Sequence, residues 1–91
     1  MNIEWTKPAV GDLRALRAYI AERNPRAAED VALKILDGVE RLGTYPASGR
    51  PGMKPDTREL AVPSTPYIVV YRVQDEYVEI LRVIHGSRKW P

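Results

Sequence analysis

The chain has no cysteine and a single histidine, His85, in 91 residues. The first absence excludes a disulfide scaffold, a thiol nucleophile and a thiolate zinc site. The second excludes a histidine-based metal cluster. No Gly-x-Gly-x-x-Gly or P-loop pattern occurs, so nothing points to a dinucleotide or nucleotide cradle. Ser48, Ser64 and Ser87 lack the context of a nucleophile elbow. No apolar run approaches the roughly 20 residues that span a bilayer. No signal peptide precedes the amphipathic pattern, and there is no repeat or low-complexity tract. The expectation is one small domain over residues 1–91, cytoplasmic, without membrane association, cofactor or metal. The net charge of +2 is too small for bulk nucleic-acid affinity. Its placement is uneven: Arg82, Arg88 and Lys89 fall in the last ten residues, which hold no acid.

What is present is concentrated in the last third. Tyr67 to Val73 and Tyr77 to Ile84 are two runs rich in β-branched and aromatic residues, suited to a pleated buried surface. Gln74-Asp75-Glu76 is too short for a parallel crossover, so the runs form an antiparallel hairpin. A two-residue turn at Asp75-Glu76 pairs Gln74 with Tyr77 and sets Arg72 opposite Glu79, a favourable facing pair. Extended unchanged, that register puts Ile68, Val70, Leu81 and Val83 on one face. Tyr67, Val69, Tyr71, Val73, Val78, Ile80, Arg82 and Ile84 fall on the other. Neither face is polar, so both need cover.

Upstream, Asn2 to Trp5 reads as a short strand at an edge. Thr6 is suited to cap a helix that runs to about Arg23, with Pro8 in its first turn and Val10, Leu13, Leu16, Ile20 and the stem of Arg17 facing inward. Gly11 weakens that helix. Asn24-Pro25 breaks it and starts a second, to about Leu42, with an inner stripe of Ala28, Val31, Ala32, Ile35, Val39 and Leu42. Glu29 and Asp30 near its start and Arg41 near its end complement its dipole. Gly43 to Asp56 is a loop dense in proline and glycine, of the long kind that often carries function. Arg58 to Val62 is a strand stopped by Pro63. The predicted fold is therefore α+β, in the order β-α-α-β-β-β, with an antiparallel helix hairpin on one face of a mainly antiparallel sheet.

The residue types left for chemistry are Arg58, Arg72, Arg82, His85, Arg88, Lys89 and Trp90. Arginine binds phosphate in a planar fork and stacks on bases, and histidine exchanges protons near neutral pH. Each also has a plain structural use: Arg72 paired with Glu79, His85 bonded at a strand end, Trp90 folded back on the sheet.

The chain resembles the ParE/RelE superfamily of type II toxins. The resemblance lies in Ile3-Glu4-Trp5-Thr6, Tyr19-Ile20, Asn24-Pro25-Arg26-Ala27-Ala28, Tyr45-Pro46, Gly49-Arg50-Pro51-Gly52, Thr57-Arg58-Glu59-Leu60, Pro66 to Val73 and His85 to Pro91. It implies the toxic half of a bacterial toxin–antitoxin pair, neutralised by a cognate antitoxin whose C-terminal segment wraps it. Operator DNA is met only indirectly, through the antitoxin. RelE-like members cut messenger RNA on the ribosome and commonly read Arg-Leu-Val-Tyr in the third strand, where the arginine contacts phosphate. This chain reads Ile68-Val69-Val70-Tyr71, and Glu59-Leu60-Ala61-Val62-Pro63 before it lacks the RelE lysines. The ParE-like branch is therefore favoured, which implies inhibition of DNA gyrase by binding, with no catalytic residues. The alternative is a ribosome-dependent endoribonuclease using Arg82, His85 and Arg88; a further one is a non-toxic antitoxin-binding domain. Target contacts are expected at Arg58, Arg82, His85, Arg88, Lys89 and Trp90. Tyr67, Tyr71, Val73 and Ile80 are expected to meet the antitoxin.

Overall fold

A computed structural model of the chain describes residues 1–88. Its elements are β1 (Asn2–Trp5), α1 (Lys7–Ala21), α2 (Pro25–Leu42), β2 (Arg50–Pro51), β3 (Arg58–Ala61), β4 (Tyr67–Val73) and β5 (Tyr77–His85). The two helices pack on a five-stranded sheet of order β1-β5-β4-β3-β2. Every pairing is antiparallel except β1 with β5, which is parallel. The α+β architecture is as the sequence predicts, with one strand added. β2 carries little sequence signal because it is two residues long and holds a proline, which only an edge position tolerates.

The caps explain where the helices begin. Thr6 Oγ accepts from the Ala9 amide at 3.3 Å and donates to the Ile80 carbonyl at 2.8 Å. One side chain thus starts α1 and fastens it to β5. Asn24 Oδ1 accepts from the Ala27 amide at 3.1 Å, with Pro25 as the first residue of α2. The expected stripe of α2 is buried, with Val31 partly so. On α1 the buried residues are Ala9 and Leu16, and Leu13 and Ile20 are partly buried. Arg17 is not on the inner stripe; it lies exposed and pairs with Glu29 of α2. Glu29 and Asp30 lie beyond the first turn of α2, where the dipole has faded.

Gly11 sits on the open side of α1, where an added Cβ would meet nothing within 4 Å. Gly11→Ala is expected to stabilise the chain by about 0.5–1 kcal/mol through helix propensity and a less disordered unfolded state. Thermal melting checks this; an unchanged or lower midpoint would show that the first turns of α1 are not held as a helix.

In the β4–β5 hairpin, Arg72 faces Glu79 as expected, and the Gln74 amide donates to the Tyr77 carbonyl at 2.8 Å. Further along the expected register is wrong. A bulge between Val70/Tyr71 and their partners leaves Leu81 unpaired, so Tyr71 faces Ile80 while Val70 faces Arg82. Beyond it every partner moves by one: Val69 faces Val83, Ile68 faces Ile84 and Tyr67 faces His85. A one-residue slip exchanges the faces of a strand. The core against the helices is therefore Tyr67, Val69, Tyr71, Val78, Ile80 and Val83, with Leu16, Ile35, Val39, Leu42 and Val62. Ile68, Val70, Arg72 and Ile84 fall on the far face.

Candidate functional site

The long loop after α2 is pinned from inside the core. Tyr71 is fully buried, and its hydroxyl accepts from the Gly49 amide at 2.9 Å and donates to the Pro46 carbonyl at 2.7 Å. Arg58 Nη1 donates to the Gly49 carbonyl at 2.8 Å and the Ala47 carbonyl at 3.4 Å. Gly49 is required here: a Cβ would lie 2.7 Å from the Tyr71 hydroxyl and 2.9 Å from the Glu59 carbonyl. So anchored, the loop lays β2 along β3 and places Arg50 opposite Glu59.

On the sheet face turned from the helices, Arg50, Glu59, Val70 and Arg82 line up across β2, β3, β4 and β5. The next row is Ala61, Ile68 and Ile84. Val70 and Ile84 are buried. Ile68 and Ile84 floor a groove of about 250 Å³ whose walls include Met53, Glu59, Gly86 and two arginines, Arg50 and Arg88. Met53 is 76% exposed. An apolar floor between guanidinium groups suits a side chain of a partner protein; its floor has no donor for an oxyanion.

The cations of this face are mostly paired. Arg50 meets Glu59 at 3.0 Å and Arg72 meets Glu79 at 2.7 Å. Arg82 is clamped in a fork by Asp12 of α1, at 2.7 and 2.9 Å, and Asp12 Oδ2 also accepts from the Val83 amide at 2.9 Å. The bond to Asp12 raises the Arg82 guanidinium further above its usual range, more than its partial burial lowers it. Burial, then the nearby Tyr19, raises the Tyr67 phenol, which stays neutral.

The Arg72 hydrogen bond holds the Glu79 carboxyl below the usual carboxylate range, with a second bond from Gln74 in the same direction and burial opposing. A depressed carboxyl stabilises the fold above its unfolded pKa, and that contribution is lost as pH falls through its folded value. The stability advantage over Arg72→Gln is therefore expected at neutral pH and should vanish in acid. Urea midpoints measured down the acid range check this; a constant gap would assign the effect to packing of the Arg72 stem.

His85 is exposed at the end of β5. Its Nδ1 accepts from the Ser87 amide at 3.1 Å and lies 2.8 Å from Ser87 Oγ, and its ring meets Tyr67 edge-on with centroids 5.6 Å apart. A main-chain N–H only donates, so the neutral ring carries its proton on Nε2. Arg88 is exposed three residues beyond the end of β5, its amide bonded to the His85 carbonyl at 2.9 Å. Lys89 and Trp90 lie outside the described residues.

The expected target contacts thus divide. His85 and Arg88 are available; Arg58 braces the loop and Arg82 is neutralised by Asp12. The trio Arg82, His85 and Arg88 is not assembled as three free groups. Of the residues expected to meet the antitoxin, Tyr67, Tyr71 and Ile80 are buried in the chain's own core, and Val73 alone is exposed. Those three lie on the sheet face that the helices cover, and a hairpin apolar on both faces carries no sign of which face that is. Met53 and Asp12 were missed. An apolar residue in a polar loop marked Met53; Asp12 lies 70 residues from Arg82 and gave no local signal.

Residues 3–90 match the family model described as ParE toxin of type II toxin-antitoxin system, parDE. Among curated proteins, Y4kP of Sinorhizobium fredii is 45% identical over 90 residues, covering 99% of this chain and 93% of that protein. Toxin RelE2 of Caulobacter vibrioides is 38% identical over 87 residues, covering 96% of this chain and 97% of that protein. Among solved structures, a chain of the chromosomal ParDE TA system from P. aeruginosa aligns with a TM-score of 0.85 at 27% identity, over 93% of this chain and 95% of that one.

Proposed function

Because the chain belongs to the ParE toxin family of type II toxin–antitoxin systems, we propose that it inhibits DNA gyrase by binding rather than by cutting RNA. A cognate antitoxin neutralises it. The observation that carries this reading is the groove over Ile68 and Ile84. Ile68 stands where the resemblance to RelE-like nucleases places a phosphate-binding arginine. Arg82, paired with Val70 in the sheet, has its guanidinium drawn to Asp12 of α1 and does not line the groove. Phosphoryl transfer needs positioned positive charge where the transition state becomes anionic, and this floor offers hydrocarbon. The surface that remains for a target is Met53, Arg50 and Arg88 around the groove; His85 faces Tyr67 on the helix side of the sheet and does not line it. Among the described residues no helix is long and apolar enough to cross a membrane.

The kinship with a relative named RelE2 keeps the nuclease as the reading to be tested against. Antitoxin-free protein is to be assayed in two arms: gyrase supercoiling with trapped DNA breaks, and messenger cleavage on translating ribosomes. Activity in the gyrase arm alone is expected. Met53→Glu with Arg88→Glu should weaken it by tenfold or more, the scale on which a few central interface residues act. Messenger cleavage that disappears in His85→Ala would replace this reading with an enzyme. Inactivity in both arms and unimpaired growth on expression would leave a non-toxic antitoxin-binding domain.

A further inference from the structure

One short pattern stands at both ends of β3. Lys54-Pro55-Asp56-Thr57 precedes the strand and Val62-Pro63-Ser64-Thr65 follows it. In each, proline is second and the third residue has a positive φ, 64° at Asp56 and 63° at Ser64. This is the pattern of a type II turn. In each, the threonine closes the turn twice, because its amide and its hydroxyl both donate to the carbonyl of the first residue. Thr57 bonds Lys54 in this way at 3.2 and 2.6 Å, and Thr65 bonds Val62 at 3.2 and 3.0 Å.

The two turns differ in what they hold. The second joins β3 to β4, and its tip is Pro63 and Ser64. In the first, the Thr57 carbonyl also accepts from the Gly52 amide at 2.8 Å. One residue thus ties the chain at Gly52 and at Lys54, on both sides of Met53. Glycine is needed at 52, because a Cβ there would collide with the Thr57 hydroxyl. Thr57 is buried, whereas Met53 is exposed on the rim of the groove over Ile68 and Ile84. A left-handed residue other than glycine costs free energy. The order it brings falls on Met53, whose exposed side chain returns little of it to the fold.

We propose that Met53 is a preformed anchor for an apolar recess on the protein that this toxin inhibits, and that Thr57 is its positioning residue. The unbranched thioether adapts to the shape of a recess. The main chain behind it is already fixed, so binding need order only the side chain. Residues that bind are commonly carried on loops set by a rigid scaffold. The inference rests on the chain acting by binding a protein target.

The readout is growth without antitoxin, taken as the amount of folded protein that halves the growth rate. Met53→Ala and Thr57→Val should each raise that amount about tenfold or more, the scale of a central anchor. Thr57→Ser keeps the hydroxyl and should stay within about threefold of the parent. Thr65→Val removes the matching hydroxyl from the other turn, together with the acceptor of the Tyr67 amide, and should also stay within about threefold. Adding Thr57→Val to Met53→Ala should cost little more than Met53→Ala alone, since a positioning residue acts through the residue it holds. In the free parent, which needs no variant to fold, the Met53 amide should have an order parameter of about 0.85, like strand backbone. Thr57→Val no worse than Thr65→Val, full additivity of the Met53 and Thr57 variants, or a Met53 order parameter below about 0.6 overturns the proposal. A parent that leaves growth unaffected overturns it too. Gyrase supercoiling with the parent is read separately. A parent that arrests growth and leaves gyrase untouched ends the gyrase reading, while the ranking of the variants still decides the anchor.

Discussion

Tyr71→Phe should loosen the long loop and lower the melting temperature, and Tyr71→Ala should lower it much further. The phenol is the largest fully buried side chain, and its hydroxyl is the internal anchor of the loop through Gly49 and Pro46. Truncation to alanine combines lost apolar contact with a cavity, together about 3–5 kcal/mol. That is a large fraction of the roughly 5–15 kcal/mol by which such domains are stable. Phenylalanine keeps the ring and removes only the hydroxyl, leaving the Gly49 amide and the Pro46 carbonyl to find other partners at a cost of about 1–3 kcal/mol. In a domain of this size each kcal/mol moves the midpoint by about 4–8 °C. Calorimetry gives the shift, and limited proteolysis between residues 45 and 52 reports on the loop. A phenylalanine variant that melts within a degree of the parent and resists cleavage would show that Arg58 alone holds the loop.

The second large effect is expected at Asp12. Its carboxylate satisfies the Arg82 fork and the Val83 amide together. Removing one partner of a fully buried pair costs about 3–5 kcal/mol, because a charge is left without its counter-charge. Arg82 is about a third exposed, so water offsets part of that, and Asp12→Ala should cost about 1–3 kcal/mol. Adding Arg82→Met should return part of the loss, since the stranded charge is gone. A double variant less stable than the single one would mean that Arg82 stabilises the sheet chiefly through its stem. The same single variant bears on function. If Asp12 is what silences Arg82, Asp12→Ala leaves a free guanidinium, and messenger cleavage gained by that variant would favour the enzyme reading.

Helices, caps and hairpin were legible in the sequence because each has a local cause: Thr6 and Asn24 with their prolines, a stripe at helical spacing, and Arg72 opposite Glu79 across a short turn. The far half of the hairpin was not. Its bulge at Leu81 is marked by no glycine, and β-branched residues on both faces hide a one-residue slip that a polar face would have revealed. That slip brings Val83 to the helix side and sends Ile84 to the far face; Tyr67, Tyr71 and Ile80 keep the face they were expected to share, and are core because the helices cover it. The site was legible in part. Ile68 stood out against the RelE-like pattern, and Arg88 and His85 stood out as the basic end of the chain. The pairing of Arg82 with Asp12 joins residues 70 apart, a distance over which periodicity and charge patterning say nothing.

The parallel strand at the sheet's edge sets an order of events. β1 is made first, yet its only neighbour in the sheet is β5, made last. Thr6 and Asp12 likewise wait for Ile80, Arg82 and Val83. Contacts of such sequence separation are slow to form, because the loop between them must be closed before they return any stability. On the ribosome, the first half of the chain emerges as a helical hairpin with an unpaired strand and no sheet to cover. The finished surface cannot appear until residues 77–85 have cleared the exit tunnel and docked. The cell therefore has a delay, set by chain topology alone, between starting this polypeptide and meeting its folded form.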